Sequence, residues 1–186
     1  YQNVRSVGEY FEGCFNGPSC LRISGSQVSG DGLLSGSKVT IVGPIFKNMV
    51  NRCIDPRSSS DWHVTGMVVT GSFGMKADGQ AQSNASIIAI SGTTRSKFDF
   101  IADVISTDPS HVAVRIQSEN GTVSTGNLIR GTVKGIGTGL IESTVCDHNM
   151  IDLMLDADVV TAGTPGGVHS RYSYSRNGDM LSMTGD

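Results

Sequence analysis

WHVTGMVVTGSF, residues 62–73, is the longest β-pattern in the chain. Trp62, Val64, Gly66, Val68 and Thr70 fall on one side of an extended strand, and His63, Thr65, Met67 and Val69 on the other. This period of two places side chains alternately across a pleated sheet. Gly66 and Gly71 interrupt the β-branched run and mark expected bulges.

Working outward, the same pattern recurs in shorter pieces. Val39 and Ile41 share a face of a strand over 38–42, and 87–90 is a compact apolar run. Phe98, Phe100 and Ala102 alternate with Asp99, Ile101 and Asp103. Val112, Val114 and Ile116 alternate with Ala113, Arg115 and Gln117. Further strands are expected over 21–28, 128–133, 140–145, 151–160, 168–175 and 180–184. Asn120-Gly121 and Asn177-Gly178 are hairpin dipeptides, because both residues tolerate positive φ. One helix is expected at 44–53, where Ile45, Phe46, Met49, Val50 and Cys53 recur at helical spacing between Pro44 and Pro56. Turn signals between short strands favour an all-β domain, an antiparallel β-sandwich or jelly roll with one short helix. A lipocalin-like β-barrel is the alternative. Residues 1–20 read as an N-terminal arm, with Tyr10, Phe11 and Phe15 to dock it, and 21–186 as a single β domain.

Composition agrees with that class. Of 186 residues, 38% are hydrophobic and 17% charged, and 24 glycines fill much of the difference. Small hydroxyl residues and glycine favour turns and strands over long helices. The formal net charge is -3, with basic residues scattered, which speaks against a dedicated nucleic-acid binder. The nearest basic–aromatic pattern runs from Arg171 to Arg176, with Tyr172 and Tyr174 sharing a face. A half-exposed strand explains it without base stacking. No apolar run reaches 18 residues, so no membrane-spanning helix is expected. The chain begins at Tyr1, as a processed or trimmed product would. Cys14, Cys20, Cys53 and Cys146 allow two disulfides in three pairings, or four thiols in a reducing compartment. Asn84 and Asn120 each head a glycosylation sequon.

No catalytic signature stands out, and the chain is not expected to be an enzyme. There is no Gly-x-Ser-x-Gly elbow, and the glycine-rich 163–170 lacks the lysine of a phosphate loop. Cys146, His148 and Met150 invite a copper reading, with His63 or His111 as a distant fourth ligand, but a turn between strands explains them as well. Asp147, Asp152, Asp156, Asp158 and Asp179 could offer oxygens to calcium, yet no Asp-x-Asp-x-Asp-Gly loop is present. No cofactor and no metal site is therefore expected, and the ligand-binding residues are left open.

The order of a strand at 39–42, a Pro-led helix at 44–53, and Trp62 opening the strand that runs through Met67-Val68-Val69-Thr70-Gly71 resembles capsid proteins of picorna-like plant viruses, of the comovirus small coat type. That resemblance implies a jelly-roll subunit of a virion and partnership with other capsid subunits in a homo- or hetero-oligomer. It also implies weak RNA contact at most and release from a polyprotein. An isolated subunit would then expose apolar patches that assembly covers. Two other classes remain. One is a secreted glycan- or small-ligand-binding module, with Tyr172 and Tyr174 stacking on sugars. The other is a small β-barrel lyase or isomerase, which would need His63 or His111 joined to a buried carboxylate.

Overall fold

Arg5, Thr40, His63, Lys97, Leu128, Met150 and Arg171 lie side by side in one sheet although a full pass of chain separates each from the next. The computed structural model describes residues 5–13, 37–106 and 108–185. Over these it holds fifteen strands: β1 (Arg5–Val7), β2 (Tyr10–Glu12), β3 (Ser37–Val42), β4 (Ile45–Lys47), β5 (Arg52–Ile54), β6 (Arg57–Ser72), β7 (Ser86–Thr94), β8 (Lys97–Ile105), β9 (Val112–Gln117), β10 (Leu128–Lys134), β11 (Thr138–Glu142), β12 (Met150–Leu155), β13 (Thr161–Thr164), β14 (Arg171–Arg176) and β15 (Asp179–Thr184).

Pairing among the described strands is parallel, apart from the terminal β14–β15 hairpin. One ladder runs β3/β4–β6–β8–β10–β12–β14, and a second runs β7–β9–β11–β13. Parallel neighbours need a crossover. Here each crossover out of one ladder is itself a strand of the other. The chain therefore coils, and each coil stacks on the last. This is a parallel β-helix, its sheet nearly closed and barrel-shaped. The long strand β6 turns the corner between the ladders. Its start pairs with β7, through Arg57↔Ser91 and Ser60↔Thr94, and the rest pairs with β8.

The all-β expectation holds, whereas the antiparallel sandwich or jelly roll is replaced by parallel coils. Alternation within a strand reports that one face is buried and carries no sign of the neighbour's direction. The helix expected over 44–53 is absent. Ile45 N–H donates to Glu9 O, Val68 N–H to Pro44 O and Asn48 N–H to Thr70 O. The backbone groups a helix would use are thus committed to adjacent coils, and a ten-residue helix is marginal without such help. Phe46, Met49 and Cys53 still point into the core, so the spacing identified buried positions but not their conformation. In the expected arm, Tyr10–Glu12 is a coil strand paired with β4. Phe15 and the strand expected over 21–28 lie outside the described residues.

Inside the coils Trp62, Phe46, Phe98, Ile88, Ile90 and Tyr172 are among the large, fully buried side chains. Gly66 is a bulge as expected, with φ at 65°, and the register shifts between Val64 and Met67. The extra residue sends Met67 and Val69 inward with Val64 and leaves Val68 facing outward. One corner is closed by a stack of buried polar residues. Trp62 N–H donates to Ser96 Oγ, Ser96 N–H to Asn127 Oδ1, Asn127 N–H to Asn149 Oδ1, and Asn149 N–H to Ser170 Oγ. Each side chain satisfies the turn below it, which is how a repeating coil can bury its corner backbone.

Candidate interaction face

The outward side of the β6–β8–β10–β12–β14 ladder is the most distinctive surface. Strand β8 alternates strictly between exposed and buried residues, as does β12. In-register stacking therefore lines outward side chains into straight columns across the strands. One column reads Tyr10, Ile45, Val68, Ile101, Thr132, Met154, Ser175, Met180. Tyr10 is 54% exposed, Ile101 56%, Met154 61% and Met180 75%, so the column is a mainly apolar stripe open to solvent, interrupted by Thr132 and Ser175.

Polar columns flank it. On one side stand Asp99, Arg130 and Asp152, followed by Ser173 and Ser182. On the other stand Glu12, Lys47, Thr70, Asp103 and Lys134. Lys47 pairs with Glu12 at 3.2 Å and Lys134 with Asp103 at 3.8 Å, so charge alternates along the column instead of accumulating. Between the stripe and the first column lies a cleft of ≈ 360 Å³, lined by Asp99, Ile101, Arg130, Thr132, Asp152 and Met154. The stripe crosses eight strands, and at about 4.8 Å per step it is about 34 Å long.

In the sequence Ile101 and Met154 stand only as members of alternating strands. The column they form depends on registers between distant segments, which no local pattern encodes.

Other candidate residues fall elsewhere. His63 is exposed on the outer face. His111 is buried, with Nδ1 2.6 Å from Ser106 Oγ and Nε2 2.8 Å from Gln82 O. The Nε2–H donates to that carbonyl, so Nδ1 accepts from the serine. His111 thus ties two loops together, with Gly74 stacked so closely that a Cβ there would meet the ring. Cys53 and Cys146 are buried, and burial followed by the Glu142 charge pushes the Cys146 thiol up to about 11. Cys14 and Cys20 lie outside the described residues. Asn84 and Asn120 are exposed in left-handed turns, and Asn120-Gly121 forms the expected tight turn between Glu119 and Thr122.

The copper set does not converge. Cys146 is fully buried while Met150 is exposed on β12. The acidic residues also separate: Asp158 accepts Gly135 N–H, Asp156 caps Ala157, and Asp152 stays on the outer face. Tyr172 is fully buried and its hydroxyl donates to Ala162 O, and Tyr174 packs partly buried against the core.

The fold and this face define a parallel β-helix carrying a striped sheet surface. No family model, no curated protein and no solved structure matches the chain. Among the described residues no helix is long and apolar enough to cross a membrane.

Proposed function

We propose that this chain is a structural assembly subunit whose outer sheet face packs against a second copy of itself. The apolar stripe from Tyr10 to Met180 carries the proposal. Exposed apolar patches of this extent mark surfaces that are covered in use. The stripe and its flanking columns, about 14 Å across, offer about 500 Å² per copy, so a pair would bury about 1,000 Å², the lower limit for a specific interface. Alternating signs in both flanking columns let a copy meet its twin without like charges facing throughout, and a formal net charge of -3 adds little repulsion.

The stripe's chemistry favours protein over glycan. Sugars are held by exposed aromatic faces, and Tyr10 is the stripe's one aromatic residue. Ile101, Met154 and Met180 supply adaptable aliphatic contacts of the kind enriched at protein interfaces. Tyr172 and Tyr174, the candidates for sugar stacking, serve the interior. For a lyase or isomerase, the required partner of His111 would be a carboxylate, and its ring meets Ser106 and a carbonyl. Within the assembly class a virion role is the specific form expected from the sequence. It would use lateral packing of coils, because the jelly-roll wedge rests on antiparallel pairs.

The test is light-scattering mass with negative-stain microscopy on the full chain and on Ile101→Asp/Met154→Asp. An oligomer that the double variant reduces to monomer is the expected result. A parent chain that stays monomeric at high concentration overturns the proposal.

A further inference from the structure

A second cluster lies at the corner, away from the sheet face. The corner residues Lys38, Asp61, Arg95, Gly126, His148 and His169 all have positive φ, between 48° and 66°. Each directly follows a residue of the paired column Ser37, Ser60, Thr94, Thr125, Asp147 and Val168. The coils thus repeat one left-handed turn, which aims successive side chains outward from the same edge. Two consecutive turns place histidines there. Their rings lie 4.8 Å apart, and Asp147 sits beside both. His148 Nδ1 is 2.7 Å from Asp147 Oδ1, and His169 Nδ1 is 3.3 Å from the same oxygen. The three ligand atoms lie within 4.8 Å of one another.

We infer that Asp147, His148 and His169 form a binding site for a divalent transition ion of the zinc class. Two imidazole nitrogens and one carboxylate suit zinc, and a water completes the tetrahedron in sites with three protein ligands. With bonds of about 2.0–2.1 Å, a tetrahedral edge is about 3.3 Å. The Asp147–His169 separation already has that length, the shorter Asp147–His148 contact opens by about 0.6 Å, and the two imidazole nitrogens, within 4.8 Å of each other, swing together by up to about 1.5 Å to close on the ion. Both rings then carry their proton on Nε2. Gly126, with no side chain and nothing within 4 Å of where its Cβ would be, leaves the approach past His148 open. Calcium and magnesium prefer oxygen-only sets and more ligands, so they are excluded competitors. Spacing along the chain groups His148 with Cys146 and Met150. The coil instead brings His169 from the next turn, one pass of chain later.

Bound here, the ion clips two successive corner turns, and its affinity adds to the stability of the folded chain alone. The experiment is calorimetric titration of chelator-stripped full-length protein with zinc chloride, alongside absorption spectra with cobalt. One site per chain is expected, weakened at least tenfold in His169→Ala and in His148→Ala and unchanged in His63→Ala. The cobalt adduct should lack a thiolate charge-transfer band, and thermal unfolding should rise with zinc but not with calcium. Circular dichroism verifies that the variants, altered at exposed positions, remain folded. Absence of stoichiometric binding overturns the inference. So does binding that survives both histidine substitutions, or a cobalt–thiolate band, which would place the ion on cysteine.

Discussion

Asn149 shows how much one side chain can do in a stacked corner. Its Oδ1 accepts from Asn127 N–H and Asn127 Nδ2, while its own Nδ2 donates to Ser124 O and to Glu142 Oε1. It is 1% exposed, so water cannot replace these partners. Asn149→Ala leaves a buried amide and part of the Glu142 carboxylate unsatisfied, at about 1–3 kcal/mol for each group. The variant should lose about 2–4 kcal/mol in urea unfolding, and a loss below 1 kcal/mol would show that the ladder is redundant. Cys146, close by in sequence, is the opposite case. With its thiol pushed up to about 11 by burial and then by Glu142, little reactive thiolate exists at pH 8. Iodoacetamide should leave Cys146 unmodified in the native chain and label it in urea, as read by peptide mass spectrometry. Labelling of native Cys146 at the unfolded rate would contradict its placement.

At the scale of elements, the corner between β10 and β11 gives a sharper test of coil stacking. Gly135 has φ at 73°, and a Cβ there would lie 1.7 Å from Val104 O in the coil before it. Its own carbonyl accepts Ser106 N–H. Gly135→Ala must therefore strain a left-handed turn and push two coils apart, so it should cost more than the ~1 kcal/mol of an ordinary left-handed alanine. Thermal unfolding measures this. Gly121→Ala, at a similar φ with nothing within 4 Å, supplies the contrast, and equal losses would remove the stacking argument. Elements are also the scale most legible in the sequence. The faces of β8 and β12 follow directly from alternation, and Asn177-Gly178 does join β14 to β15. The Pro-led segment failed because Phe46, Met49 and Cys53 satisfy a helical period and an irregular coil corner equally well. The parallel direction was illegible for a related reason: the coils vary in length, so no fixed repeat appears in the sequence. The apolar stripe and the Asp147–His148–His169 cluster both depend on the registers those unequal coils adopt. Neither could be seen from local spacing.

At the scale of the molecule, a stack of parallel coils has open ends that can extend indefinitely unless something stops them. At the C-terminal side the described chain ends its stack with β15, which runs antiparallel to β14 through the pairs Arg171↔Thr184 to Arg176↔Asp179. The reversal takes up the hydrogen-bonding edge that β14 would offer to a further parallel coil. Removing residues 177–186 should re-expose that edge, together with the partly buried Tyr174 that packs beside it. The result is a head-to-tail contact that does not close on itself, and such contacts grow into fibres. Light scattering should then show concentration-dependent growth beyond the parent's oligomer, while Ile101→Asp/Met154→Asp moves the mass the other way. The opposite signs separate two surfaces, a side that limits assembly to a defined complex and an end that must stay closed. If the truncated chain keeps the parent's mass, β15 is not the stop, and the end of the coil stack is closed by other means.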